Sequence, residues 1–150
     1  PLDKAHKAFI LYIYDIDSIN GRREAKMDII ISNSANEPIY EQITCQIKNL
    51  ILQGKLLPDE ALPSIRKLAK ELKISVITTK RAYEELEKEG YLVIVGGKGT
   101  FVANHSLDFL QEKRLHLVEQ NLAQAVELAK ELGIGLEEII SIIKSLYKEE

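Results

Sequence analysis

The period of the apolar residues changes at Gly90, and this change limits the possible folds more than any other feature of the sequence. Before Gly90, apolar residues recur at steps of three and four, which is typical of amphipathic helices. After it, residues 91–95 (YLVIV) form a β-branched run, residues 96–99 (GGKG) form a turn signal, and residues 100–102 (TFV) continue the run. The sequence therefore predicts helices up to Gly90 and a β-hairpin after it.

Three helices are predicted before Gly90. The first begins with Pro38 as its first residue, where a missing N–H is harmless, and it ends at Gly54. The second and third are capped by Ser64 and Ser75. Their apolar positions are Ile39, Tyr40, Ile43, Ile47, Leu50 and Ile51; Ile65, Leu68, Ala69 and Leu72; and Val76, Ala82, Tyr83 and Leu86. Because only residues 73–75 separate the second helix from the third, the pair matches a helix-turn-helix, and the hairpin completes a winged helix.

The last third of the chain predicts two more helices with apolar stripes. The first stripe has the spacing of a short coiled coil, residues 133–135 (GIG) interrupt it, and the second follows. With no further domain to cover these stripes, the simplest cover is a second copy of the chain. The dimerisation residues are expected to be Leu115, Val118, Leu122, Ala125, Ala129, Leu132, Leu136, Ile139, Ile140, Ile143, Leu146 and Tyr147.

The expected fold is thus mainly α with a small β-hairpin, in which a winged helix-turn-helix over residues 27–104 precedes a two-helix dimerisation segment over residues 105–150. Residues 1–26 form an N-terminal extension. Met27 is the sole methionine, so the extension is either an artificial addition before a natural start at Met27 or an ordinary extension. Within it, residues 4–14 fit a helix or a strand.

Composition excludes several classes of protein. One cysteine, Cys45, allows no intramolecular disulfide and no cysteine-based metal site, and the three histidines have no ligand spacing. The apolar run at residues 9–14 is far shorter than the ~20 residues of a membrane-spanning helix. No catalytic constellation is evident. We therefore expect a cytoplasmic protein that is not an enzyme and has no membrane segment, metal or cofactor.

Charge is distributed unevenly although the net charge is only −3. In residues 64–83 six Lys and Arg side chains face one acidic residue, Glu71. Such a local excess is the electrostatic signature of a nucleic-acid contact. Arg66, in the first turn of the second helix, has no use in core packing and suits a phosphate or a guanine edge. The alternative for Arg66 is an ordinary solvated side chain.

The start of the third helix holds short polar side chains where a recognition helix meets base edges. Ser75, Thr78 and Thr79 suit close approach to DNA, although capping and surface positions explain them equally well. Lys80 is the better candidate for a phosphate or base contact, whereas Arg81 is expected to pair with Glu84 or Glu85.

The glycine-rich hairpin tip does not match a phosphate-binding P-loop, because the required glycine spacing and the Ser or Thr after the lysine are both missing. As a wing, Gly97 and Gly99 would let the backbone approach DNA, and Lys98 would reach a phosphate or the minor groove. A plain hairpin turn is the alternative.

Several motifs resemble the GntR family of transcriptional regulators: residues 38–43 (PIYEQI), 62–69 (LPSIRKLA), 79–91 (TKRAYEELEKEGY) and 97–102 (GKGTFV). The short helical tail is similar to that of the YtrA subfamily, in which it serves dimerisation. The resemblance implies DNA contacts from Arg66, residues 75–80 and residues 97–99. Two residues depart from it: Val76 replaces a common arginine, and Lys73 replaces a turn glycine and would have to adopt a left-handed conformation.

The sequence therefore predicts a homodimeric, sequence-specific regulator, a repressor that binds an inverted repeat in double-stranded DNA, with no effector identified. The expected DNA contacts are Ser64, Arg66, Lys67, Ser75, Val76, Thr78, Thr79, Lys80, Gly97, Lys98 and Gly99. Two other hypotheses remain, a winged helix used for protein–protein assembly without specific DNA recognition and a small enzyme.

Overall fold

A computed structural model describes residues 24–148 of the chain. Its helices and strands are α1 Ile39–Leu52, β1 Ala61–Leu62, α2 Ile65–Leu72, α3 Val76–Lys88, β2 Leu92–Val95, β3 Gly99–Val102, α4 Leu107–Glu131 and α5 Leu136–Leu146. The described residues form two compact units that divide between His105 and Ser106. The expected fold class, mainly α with a winged helix-turn-helix and two further helices, is confirmed.

The core of the first unit is built from the three helices and the sheet. Helix α3 packs against both α1 and α2, and β2 follows it directly. The largest fully buried side chains are Tyr83, Phe101, Ile43, Ile47, Leu68, Leu86, Leu92, Val93, Val102 and Thr79. Their spacing of three and four in the helices agrees with the amphipathic pattern of the sequence.

Helix α1 starts one residue later than predicted. Pro38 is its N-cap, with an extended backbone, and its carbonyl oxygen accepts a hydrogen bond from the Gln42 N–H at 3.1 Å. The fixed φ of proline is compatible with either position, so the helical pattern alone did not decide between them.

The sheet has three antiparallel strands in the order β1-β3-β2, one more than the predicted hairpin. In the hairpin, Val93 faces Phe101 and Val95 faces Gly99. The additional strand β1 places Ala61 opposite Phe101 on the other side of β3. Because β1 contains only two residues, it has no alternation from which the sequence could predict it.

The segment before α1 is joined to this unit by specific contacts. Ala25 is buried, and its N–H donates to the Ala61 carbonyl oxygen at 2.9 Å. Further along, the Gln42 side chain binds the backbone N–H and carbonyl of Ser32 at 2.9 and 3.0 Å. Ala25 thus contacts the winged helix although it precedes Met27, where the domain is expected to begin. The prediction for residues 4–14 lies outside the described residues.

The second unit contains α4 and α5. Ser106 caps α4, since its hydroxyl oxygen accepts a hydrogen bond from the Phe109 N–H at 3.2 Å. The helix ends at the predicted interruption, and α5 begins after Gly135. No residue of α5 is buried in the single chain.

Candidate nucleic-acid interface

Helices α2 and α3 are joined by a tight turn of three residues, Lys73, Ile74 and Ser75. Lys73 has φ 55° and ψ 44°, the left-handed conformation expected where the resemblance has a glycine. The turn is closed by a hydrogen bond from the Ile74 N–H to the Ala69 carbonyl oxygen at 3.0 Å. This backbone hydrogen bond helps to fix the position of the turn from which α3 starts.

Two basic side chains at the start of α2 differ in their contacts: Arg66 is exposed to solvent, and Lys67 is bound to an acidic residue. The Ser64 hydroxyl oxygen accepts from the Lys67 N–H at 3.2 Å, which confirms Ser64 as the cap. Arg66 is exposed and has no ion pair with another of residues 24–148. The Lys67 ammonium, in contrast, donates to the Glu24 carboxylate, and this hydrogen bond raises the pKa of Lys67. Arg66 is thus better placed for a phosphate than Lys67.

The polar side chains at the start of α3 are largely occupied within the helix. The Ser75 hydroxyl oxygen accepts from the Thr78 N–H at 3.0 Å and lies 2.7 Å from the Thr78 hydroxyl. Thr79 is fully buried, and its hydroxyl donates to the Ser75 carbonyl oxygen at 3.3 Å. Thr79 therefore has no surface to offer DNA, unlike the expectation. Its position three residues before Ala82 and four before Tyr83 already indicated a buried face.

The exposed surface at the start of α3 includes two apolar side chains. Ile77 is 80% exposed and Val76 is 47% exposed. The expected DNA contacts name Val76 but not Ile77, which falls within residues 75–80, the range for which the resemblance implies contact. The helical spacing contained the signal, because Ile77 lies on the same face as Lys80 and Arg81, three and four residues later.

The basic residues of that face have different partners. The Lys80 ammonium lies 3.4 Å from the Glu84 carboxylate, and both side chains are more than half exposed. The Arg81 guanidinium stacks 3.7 Å from the centre of the Tyr40 ring, whereas pairing with Glu84 or Glu85 was expected. Since an exposed ion pair is weak, Lys80 remains available for a phosphate, while Arg81 helps to join α3 to α1.

The wing is formed by β2, β3 and the turn between them. The Lys98 N–H donates to the Val95 carbonyl oxygen at 3.0 Å, and the Lys98 side chain is half-buried. Gly97 has φ +72° and Gly99 has φ +128°, and neither side chains nor backbone crowd Gly97 within 4 Å. These conformations favour glycine, and the absence of a side chain at Gly97 leaves the backbone open there.

Most of the expected dimerisation residues are exposed in the single chain. They include Leu115, Val118, Leu122, Leu132, Leu136, Ile143, Leu146 and Tyr147. Ile139 and Ile140 are half-buried and Ala125 is exposed. Ala129 is buried within the single chain, so it is not available to a second copy. Leu128 and Ile142 are also exposed apolar residues, and the prediction did not include them.

Residues 24–148 hold no group of three or more His, Cys, Asp or Glu side chains that could bind a metal ion. None of their helices has the length and apolar character needed to cross a membrane.

Comparison with known proteins gives consistent matches. Residues 39–102 match the family described as bacterial regulatory proteins, gntR family. The chain is 35% identical over 118 residues to the HTH-type transcriptional repressor YtrA of Bacillus subtilis, covering 79% of this chain and 91% of that protein.

Two solved structures from Listeria monocytogenes are also similar. One, described as a GntR family transcriptional regulator, has a TM-score of 0.67 and 29% identity, and the match covers 77% of this chain and 98% of that one. The other, described as a transcriptional antiterminator, has a TM-score of 0.66 and 31% identity, with coverage of 84% and 93%. The similarity thus extends over most of each chain.

Proposed function

The chain belongs to the GntR family of bacterial regulatory proteins and is a DNA-binding transcriptional regulator, and we propose that it acts as a homodimeric repressor on an inverted-repeat operator. The proposal of repression is supported by the relative from Bacillus subtilis, which is a transcriptional repressor. We assign the protein to the cytoplasm and give it no catalytic role, in keeping with regulators that act on the chromosome.

The observation that carries the proposal is the set of exposed basic side chains on the helix-turn-helix. Arg66, Lys70, Lys73 and Lys80 are all exposed, and Glu71 is the acidic residue among them. Cations on one supersecondary unit attract the phosphate backbone and hold the protein in register on a duplex. We therefore place α3 in the major groove, with Arg66 and Lys80 on flanking phosphates and with the wing, including Lys98, beside it.

The proposed dimer is supported by the exposed apolar residues of α4 and α5. A surface that carries Leu115, Val118 and Leu122 in coiled-coil spacing is stabilised when a second copy covers it. A twofold dimer places its two recognition helices in an inverted repeat. The half-sites would then lie one or more helical turns apart, about 34–36 Å per turn.

Selection from random duplex DNA tests the proposal. The purified full chain, the Arg66→Ala variant and a control variant, Lys55→Ala, are each used to enrich bound duplexes. Lys55 is also an exposed basic residue, but it lies in the loop after α1. We expect wild type and Lys55→Ala to enrich the same inverted repeat, and Arg66→Ala to enrich it weakly or not at all.

Two results would contradict the proposal. No enrichment at low salt by a dimeric wild-type protein would favour a winged helix used for protein–protein assembly. Enrichment of an asymmetric single site would contradict the twofold arrangement and leave only a monomeric DNA-binding regulator.

A further inference from the structure

The first turn of α3 exposes two apolar side chains that are flanked by basic residues. Val76 and Ile77 occupy its first two positions and are both exposed. Single exposed apolar residues occur on any protein surface, but these two adjoin each other at the end of the helix that is proposed to meet base edges. Lys73 precedes them and Lys80 follows them, and both are exposed.

The polar side chains of the same turn are poorly placed to read bases. The Ser75 and Thr78 hydroxyls are paired with each other at 2.7 Å, and Ser75 also caps the helix. Thr79 is buried. Arg81 is stacked on Tyr40. The groups left to touch a base edge in this turn are therefore the hydrocarbon side chains.

In the major groove, one base presents a hydrocarbon group of its own. Thymine carries the C5 methyl, and apolar side chains contact it in direct readout, whereas adenine, guanine and cytosine have no methyl group there and present hydrogen-bonding groups. An apolar side chain placed against those polar edges would leave them without hydrogen-bond partners, which is unfavourable.

We propose that Val76 and Ile77 recognise thymine methyl groups, so that the operator half-site carries thymine at the base pairs facing the start of α3. This inference rests on the proposed function and specifies its chemistry. Sequence preference at these base pairs then comes from methyl contacts, while Arg66 and Lys80 supply affinity through phosphates. The two contributions differ in their dependence on salt, because only the ionic contacts release counterions.

The test uses the duplex selected by the wild-type full chain. Each thymine of one half-site is replaced in turn by deoxyuridine, which lacks the methyl group and keeps the same hydrogen-bonding pattern. At one or two positions we expect about three- to fivefold weaker binding per methyl removed, as follows from burial of one methyl-sized group. The slope of affinity against salt concentration should not change.

Protein variants test whether the Ile77 side chain causes the loss of affinity on deoxyuridine substitution. Ile77→Ala should bind the thymine duplex several-fold more weakly, and the deoxyuridine substitution should then have little further effect, as expected of two groups in contact. Ile30→Ala is the matched control, since Ile30 is 77% exposed against 80% for Ile77 and lies outside the helix-turn-helix. It should retain the full deoxyuridine effect. Thermal unfolding establishes that both variants are folded.

The possible results distinguish failure of the thymine-methyl contact from failure of the proposed DNA-binding function. If the wild type prefers its selected duplex but no deoxyuridine substitution weakens binding, the methyl contact is wrong and the regulator proposal stands. If the penalty persists in both Ile77→Ala and Val76→Ala, other residues read the methyl and the inference fails. If the wild type prefers no duplex, the proposed function fails and the inference fails with it.

Discussion

The Tyr83 hydroxyl donates a hydrogen bond to the Pro63 carbonyl oxygen at 2.8 Å inside the core of the winged helix. Tyr83 lies in the middle of α3, and Pro63 directly precedes the Ser64 cap of α2. The bond therefore joins the recognition helix to the start of the helix that carries Arg66. It sets the relative position of two elements that are both proposed to contact DNA.

Removing this bond should destabilise the fold. Tyr83→Phe retains the ring but leaves the Pro63 carbonyl without this donor, so the free energy of unfolding at pH 7 should fall by about 1–2 kcal/mol. Chemical denaturation measures the change. Tyr40→Phe keeps the ring that Arg81 stacks on and loses only an exposed hydrogen bond to Glu41, so it should remain within about 0.5 kcal/mol of wild type.

The same variant should alter the response to alkaline pH. Burial, together with the carboxylates of Glu24 and Glu71, raises the pKa of Tyr83 above its usual value. Because the folded state holds this proton more tightly than the unfolded state, wild-type stability is lost as pH rises above about 10. Tyr83→Phe cannot lose this proton, so the stability gap between the two proteins should narrow above that pH. A constant gap would contradict the buried neutral phenol.

The left-handed conformation of Lys73 predicts a stabilising substitution. A non-glycine residue in this conformation is disfavoured by roughly 1–2 kcal/mol, and glycine in turn gives up about 0.5–1 kcal/mol of chain entropy. Lys73→Gly should thus raise the free energy of unfolding by about 0.5–1 kcal/mol. Lys70→Gly removes the same charge three residues earlier within α2, where glycine should destabilise by about 1 kcal/mol. Equal destabilisation by both would be inconsistent with strain at Lys73.

The wing tip provides a similar comparison between two glycines. Gly99 has φ +128°, so Gly99→Ala should lower the free energy of unfolding by about 1–3 kcal/mol. Gly96 has no neighbour within 4 Å of an added Cβ and its φ lies outside the left-handed range. Gly96→Ala should therefore have little effect on thermal unfolding. If Gly99→Ala were equally neutral, the turn geometry of the wing would be wrong.

The exposed seam of α4 predicts the oligomeric state. Leu122→Glu places a charge in each half of the proposed dimer surface, so the dimer dissociation constant should rise by more than about tenfold. Leu57→Glu is the control, since Leu57 is also an exposed leucine but belongs to the winged helix. Sedimentation velocity measures both. A wild-type protein that is monomeric at micromolar concentration would refute the proposed dimer.

The sequence predicted those parts of the fold that are determined by local patterns. The caps Ser64 and Ser75 and the hairpin were predicted, because capping residues, helical periodicity and glycine turns act over a few neighbouring positions. Strand β1 was not, because its two residues become a strand only through pairing with β3. The burial of Ala25 likewise depends on a distant partner, Ala61.

The candidate site was predicted less completely than the fold. The basic window identified Arg66 and Lys80, since charge is visible in the sequence. It could not show that Lys67 is engaged by Glu24, 43 residues away, or that Arg81 stacks on Tyr40. Because polar residue types suit DNA contacts, the expected contacts include Thr79, which is buried, and do not single out Ile77, which is exposed, within residues 75–80.

Sequence-specific DNA recognition is tested most directly by the affinities of the wild-type protein for two duplexes. The affinity of the wild-type full chain is measured for its selected inverted repeat and for the same duplex with both half-sites scrambled, over a range of salt concentrations. Sequence-specific recognition predicts binding to the inverted repeat that is about a thousandfold tighter or more at physiological salt, with affinity falling steeply as salt rises. Equal affinities for the two duplexes at every salt concentration would contradict it.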